Sequence, residues 1–131
     1  MIGIDTNILF YSIDNSDERK HRIALKIVED VFRAPGSYRI SLQVIAELNY
    51  AVARKNKNAA KLAAELSEAL LTSSSAVHYT EKELRLAINE GKLFDALLAY
   101  TYATTGCHEI FTENIKDMPQ LKGVKFVNPF A

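Results

Sequence analysis

The chain has few of the residues that disulfide-bonded or metal-bound scaffolds need. Its 131 residues contain one cysteine and three histidines, and no tryptophan. The lone Cys107 excludes an internal disulfide, and the histidines at 21, 78 and 108 lack the spacing of a zinc or haem site. No apolar run approaches the roughly 18 residues that cross a bilayer, and no secretory signal opens the chain. We therefore expect a protein of the reducing cytoplasm with no membrane partner.

An excess of charge of one sign is also missing. The 16 basic residues balance the 16 acidic ones, so a polyanion must be bound by a local basic patch rather than by the overall field. Only five glycines and three prolines accompany 48% hydrophobic residues, which excludes a disordered or low-complexity chain. We expect a single folded domain over residues 1–131.

Short apolar runs alternate with longer segments of helical period, which is typical of an α/β fold. Strands are predicted at 2–4, 38–40, 76–79, 109–111 and 124–127. The intervening helices carry start and stop signals. Ser16-Asp17-Glu18 begins one helix and Pro35-Gly36 ends it, and Ser41 begins the next. Thr80 with Glu83 begins a helix that Gly91 ends, and Gly106 ends the helix from Phe94 to Thr105. A polar break at 56–58 separates two helices expected to form a hairpin, and Ser73-Ser74-Ser75 is expected to be a turn.

Acidic and amide side chains fall near the carboxyl ends of the predicted strands, where open parallel sheets bind ligands. Asp5 follows the first strand, and Glu47 lies in the second turn of the helix after the second strand. Asp95 begins a later helix, and Asn114 and Asp117 follow the strand at 109–111. Although far apart in sequence, these residues are predicted to converge.

Glu47 is the most unusual of these acids, because its neighbours in the predicted helix are almost all apolar. An unpaired buried carboxylate costs several kcal/mol, so it needs a cation, a basic residue or a metal beside it. Like charges about 4 Å apart repel by roughly 4 kcal/mol at an effective dielectric constant near 20, so a cluster of such acids favours a divalent cation. Oxygen ligands without paired His or Cys favour Mg²⁺ or Mn²⁺.

Five ordered segments resemble the PIN domain family, in particular the small VapC-type toxin ribonucleases of toxin–antitoxin pairs. They are Ile4-Asp5-Thr6-Asn7-Ile8-Leu9, Ser41 to Glu47, Phe94-Asp95-Ala96-Leu97 with Gly106-Cys107, Phe111-Thr112-Glu113-Asn114, and Gly123-Val124 with Val127-Asn128-Pro129. The resemblance implies a three-layer PIN-like fold, with a central and mainly parallel sheet of four to five short strands flanked by helices. It also implies an Mg²⁺- or Mn²⁺-dependent endoribonuclease whose products carry a 5′-phosphate and a 3′-hydroxyl.

The same resemblance implies roles for individual residues. Asp5 and Asp95 correspond to metal ligands, and Glu47 corresponds to an acid that holds metal or the attacking water. Thr112 corresponds to a hydroxyl that steadies the site. Where the family often has a fourth Asp, this chain has Asn114, and Asp117 is the candidate substitute.

The same resemblance also implies a substrate and protein partners. RNA would be held by basic side chains, for which Arg54, Lys55 and Lys116 are the candidates, with Lys57, Lys61 and Lys122 nearby. A cognate antitoxin protein and a homodimer are the partners that the resemblance implies.

Other interpretations of the same residues stay open. Asp5 caps a helix in one of them, Glu47 forms a salt bridge with Arg54 or with a neighbouring helix in another, and Asp117 is an ordinary loop acid in a third. The chain as a whole is a catalytically weak RNA- or protein-binding module in one alternative, suggested by Asn114. An α/β phosphoryl-transfer domain is disfavoured, because Asp5 has no adjacent acid.

Overall fold

The computed structural model describes residues 1–73 and 75–131, and this part of the chain forms five strands and six helices. The strands are β1 (Ile2–Ile4), β2 (Tyr38–Ser41), β3 (Ala76–Val77), β4 (Glu109–Phe111) and β5 (Lys125–Val127). The helices are α1 (Thr6–Ile13), α2 (Glu18–Arg33), α3 (Leu42–Lys55), α4 (Ala60–Thr72), α5 (Glu81–Ile88) and α6 (Leu93–Thr104). Ser74, part of the predicted serine turn, lies outside the described residues.

The strands form one parallel sheet in the order β3-β2-β1-β4-β5. Ile2 of β1 pairs with Tyr38 on one side and with Glu109 on the other. The chain therefore places β2 and β3 on one side of β1 and then β4 and β5 on the other, so the strand order reverses between β1 and β4. The predicted α/β class is confirmed, and the sheet is wholly parallel rather than mainly so. The carboxyl ends of β1 and β4 flank the reversal, which is where such sheets bind ligands.

The predicted helix starts are confirmed at their capping residues. Asp5 accepts a hydrogen bond from the Thr6 backbone N–H at 2.7 Å, and Ser41 accepts one from the Gln43 N–H at 3.1 Å. Thr80 and Glu83 form the predicted capping box at the start of α5. These caps satisfy backbone N–H groups that have no partner within their own helix.

The predicted ends at 38–40, at 124–127 and at Phe94 to Thr105 differ from the structure by one residue, and two further boundaries are wrong by two residues. Strand β3 ends at Val77 instead of residue 79, because the chain leaves the sheet to bring the Thr80 N–H to the Glu83 carboxylate at 2.7 Å. Helix α5 ends at Ile88, before Gly91, because the Glu90 N–H turns back to the Ala87 carbonyl at 3.0 Å.

The largest fully buried side chain, Tyr102 of α6, links strand β1 to strand β2. Its ring lies against Gly3, where any Cβ would overlap the ring. Its hydroxyl donates to the Ile4 carbonyl at 2.5 Å and accepts from the Ser41 N–H at 3.0 Å. Tyr102 therefore fixes the ends of β1 and β2 relative to each other, directly before Asp5 and α3.

No helix in residues 1–73 and 75–131 combines the length and the apolar composition that a membrane span requires.

Candidate active site

Asp5 and Thr112 meet at the reversal point of the sheet. The Asp5 N–H donates to the Phe111 carbonyl at 3.0 Å, and the Thr112 hydroxyl donates to Asp5 Oδ2 at 2.7 Å. Asp5 is 6% exposed and Thr112 is fully buried. Burial raises the pKa of Asp5, although hydrogen bonds from Thr112 and Thr6 oppose the shift. Asp5 is thus both the cap of α1 and a carboxylate of the site.

Glu47 is brought to the site by α3, which begins immediately after β2. Its Oε1 accepts a hydrogen bond from the Thr6 hydroxyl at 3.1 Å and lies 3.5 Å from Gln43 Nε2. Burial raises the pKa of Glu47, and repulsion from Asp5 and Asp95 adds to the shift against the hydrogen bonds from Thr6 and Gln43.

The alternative salt bridge between Glu47 and Arg54 is absent from the ion pairs of the described residues. The Arg54 guanidinium instead donates to the Tyr50 hydroxyl at 3.1 Å on the same helix. Glu47 is half-buried, since its side chain borders a cavity rather than the core.

Asp95 lies in the first turn of α6 and is also half-buried. Burial raises the pKa of Asp95, and the negative charges of Asp5 and Asp117 raise it further, whereas Lys92 lowers it. The surroundings of each of the three acids thus disfavour its ionised form.

Asp5, Glu47 and Asp95 line one cavity of about 380 Å³, together with Asn114 and Lys55. Of the other predicted residues, Thr112 does not line this cavity but donates a hydrogen bond to Asp5, which does. Asp117 lines a neighbouring cavity, and its negative charge raises the pKa of Asp95. Arg54 and Lys116 are exposed and lie outside the cavity lining, so Lys55 alone of these three predicted basic residues lines the cavity.

Several residues of this cavity were not predicted from the sequence. Glu113 lines it, accepts a hydrogen bond from the Tyr11 hydroxyl at 3.0 Å and forms an ion pair with Lys20. Gln43 lines it four residues before Glu47, a spacing that places both on one helix face. That spacing was visible in the sequence, whereas the pairing of Lys20 with Glu113 was not.

The carboxylates of Asp5, Glu47 and Asp95 are the type of ligand that a hard divalent cation prefers. The three acids supply only oxygen atoms, and none of them takes part in an ion pair within the described residues. In the conformation described, no three acidic, His or Cys side chains in residues 1–73 and 75–131 come close enough together to hold a metal ion. The residues therefore fit a metal by atom type and by uncompensated charge, without forming a closed ligand cage.

Several solved structures share this fold. The chain matches VapC20 of Mycobacterium tuberculosis, a toxin that cleaves the sarcin-ricin loop, at 18% identity and a TM-score of 0.64, covering 88% of this chain and 93% of that one. It matches FitAB bound to the IR36 DNA fragment at 17% identity and a TM-score of 0.66, covering 100% and 96%. It matches VapBC2 of Rickettsia felis, bound to a DNA fragment from their promoter, at 22% identity and a TM-score of 0.60, covering 98% of each chain.

A comparison with curated proteins found no match. The family model of the PIN domain, however, matches residues 2–122, which is most of the chain and includes Asp5, Glu47, Asp95 and Thr112. The chain belongs to the PIN domain family.

Proposed function

We propose that this PIN domain is a metal-dependent endoribonuclease that hydrolyses RNA phosphodiester bonds. The observation that carries the proposal is the convergence of Asp5, Glu47 and Asp95 on one cavity, each with a raised pKa. Perturbed acids in a cleft are characteristic of catalytic or ligand-binding sites. The fold shared with the toxin VapC20 supports RNA as the substrate.

The three acids are the residues that would hold Mg²⁺ or Mn²⁺. Such an ion, when bound, lowers the pKa of water and neutralises charge on the phosphate oxygens. Thr112 fixes Asp5 by donating to its Oδ2, and Thr6 fixes Glu47 by donating to its Oε1. Glu47 Oε2 has no hydrogen-bond partner among the described residues, so it is the oxygen available to accept the proton of the attacking water.

Lys55 is the side chain that we assign to the RNA backbone. It is exposed, lines the cavity that contains the acids, and lies 5.5 Å from the centre of the Phe10 ring. A lysine in this place attracts a phosphate without base specificity. Asn114 contributes an amide at the cavity wall, and Asp117 acts through its charge on Asp95.

The proposal is tested by incubating the purified chain with single-stranded RNA and Mg²⁺ or Mn²⁺. We expect cleavage that EDTA abolishes and that Asp5→Asn, Glu47→Gln and Asp95→Asn each lower by about 10²-fold or more. The matched control is Glu65→Gln, which removes one negative charge from an exposed position of α4 and should leave the rate unchanged. Cleavage that survives both EDTA and the Asp5 and Asp95 substitutions would come from a contaminating nuclease and would refute the assignment.

We also infer that the chain is the toxin of a toxin–antitoxin pair and forms a homodimer. The shared fold with FitAB and VapBC2 supports this inference. Expression of the wild type should arrest growth while expression of Asp5→Asn should not, and light scattering should give twice the mass of one chain.

A second candidate function is an RNA- or protein-binding module with weak catalysis. It is favoured by the lack of three acids close enough to hold a metal in the described part of the chain. RNA binding that is unchanged in Asp5→Asn, combined with no cleavage by the wild type, would establish it over the nuclease.

A further inference from the structure

Gln43 connects two of the acid-bearing helices. It lies in the first turn of α3, and its side-chain nitrogen donates to the Phe94 carbonyl of α6 at 3.0 Å. That carbonyl belongs to the peptide group that joins Phe94 to Asp95. The same nitrogen lies 3.5 Å from Glu47 Oε1. One amide group thus contacts both the Glu47 carboxylate and the backbone beside Asp95.

The orientation of this amide is fixed by the chemistry of its neighbours. A backbone carbonyl can only accept a hydrogen bond, so the amide nitrogen must face Phe94 and the amide oxygen must point the other way. This oxygen, Gln43 Oε1, is buried, and it is the one such side-chain polar atom in residues 1–73 and 75–131 without a hydrogen-bond partner.

A buried acceptor without a partner lowers stability, and each case in a folded protein calls for an explanation. If Gln43 served only the packing between α3 and α6, an apolar side chain of similar length would fill the same space without this loss. Packing between α3 and α6 therefore does not by itself account for an amide at this position. Its nitrogen, which contacts Glu47 and the peptide of Asp95, does.

Gln43 also completes a chain of contacts that joins all three acids. Asp5 accepts from the Thr6 N–H, the Thr6 hydroxyl donates to Glu47, and Gln43 links Glu47 to the peptide of Asp95. We propose that Gln43 is a positioning residue that sets the separation of Glu47 and Asp95 for cation binding, without itself contacting RNA. This inference rests on the proposed metal-dependent nuclease function.

The test replaces the amide and leaves its volume in place. Gln43→Met should fold with a thermal midpoint equal to or above that of the wild type, while its affinity for Mn²⁺, measured by calorimetry without RNA, falls about 10- to 100-fold. In RNA cleavage, kcat should fall while KM stays unchanged, because Gln43 does not touch the substrate. Gln43→Asn, whose amide is one methylene shorter and cannot reach both partners, should behave in the same way and decides the question if Gln43→Met does not fold.

The matched control is Asn49→Leu, which removes an amide from the same helix. Asn49 donates to the Ile45 carbonyl at 2.9 Å and to the Ser67 hydroxyl at 2.8 Å, and it does not line the cavity. This variant should lose stability and keep the Mn²⁺ affinity of the wild type.

The outcomes separate this inference from the proposed function. If the wild type binds Mn²⁺ and cleaves RNA but Gln43→Met and Gln43→Asn bind Mn²⁺ within about threefold of it, the positioning role is overturned and the nuclease stands. If the wild type neither binds Mn²⁺ nor cleaves RNA, the proposed function fails and this inference fails with it.

Discussion

Replacing Tyr102 by Phe removes one oxygen atom from the centre of the fold. That hydroxyl serves two buried backbone groups at once, donating to the Ile4 carbonyl and accepting from the Ser41 N–H. Without it both groups lose a partner at a position where Tyr102 has 0% exposure, so water cannot replace it. An unsatisfied buried group costs about 1–3 kcal/mol, so with two such groups the variant should lose about 2–6 kcal/mol of unfolding free energy.

Urea unfolding followed by circular dichroism measures this loss. With a slope of about 2 kcal/mol per molar urea, the midpoint should fall by about 1–3 M. The matched control is Tyr100→Phe, two residues away on the same helix, whose half-buried hydroxyl donates to Glu90 at 2.8 Å near solvent. That variant should lose less than about 1 kcal/mol. Equal losses in the two variants would refute the argument that Tyr102 joins β1 to β2.

Other substitutions test the packing, the charges and the substrate contact. Gly3→Ala forces a Cβ into the Tyr102 ring, 2.8 Å from its Cε2, and should lower the unfolding free energy by about 1–3 kcal/mol; an unchanged urea midpoint would contradict the contact. Asp5 has a raised pKa when folded, so its contribution to stability is present below its ordinary pKa and is lost as pH rises through the raised value. In EDTA, the thermal midpoint of Asp5→Asn should therefore rise relative to that of the wild type from pH 4 to pH 8. Added Mn²⁺ should stabilise the wild type alone. A midpoint difference that shrinks as pH rises would contradict the raised pKa of Asp5. Lys55→Ala should weaken RNA binding and reduce the slope of log affinity against log salt by about 0.7, while Lys26→Ala on α2 should not change it.

Local signals in the sequence were enough to predict the elements that hold the site. Ser41 and the Thr80–Glu83 pair begin helices because side-chain oxygens in these positions satisfy free N–H groups, and this chemistry depends only on nearby residues. The position of Asp5 directly after β1 also predicted its place at the carboxyl end of the sheet, because the residue that follows a parallel strand lies at that edge.

Contacts between distant segments could not be predicted in this way. The fit of the Tyr102 ring onto Gly3 depends on how α6 crosses the sheet, and the sequence contains no local signal for that crossing. The ion pair between Lys20 and Glu113 joins residues 93 positions apart, again without a local pattern. The place of Asp117 in a neighbouring cavity is set by the short helical turn at Ile115–Asp117, which a search for acids near strand ends does not resolve.

The short outer strands of the sheet limit how another protein chain can attach to this one. On one side the sheet ends in the two residues of β3, and on the other in the three residues of β5, which begins with the exposed Lys125. Strands this short offer few free backbone groups to an incoming strand, and a lysine at such an edge disfavours pairing further. A protein partner is therefore expected to bind through side chains on the helices, and the sheet itself is protected from growing by addition of strands from other copies.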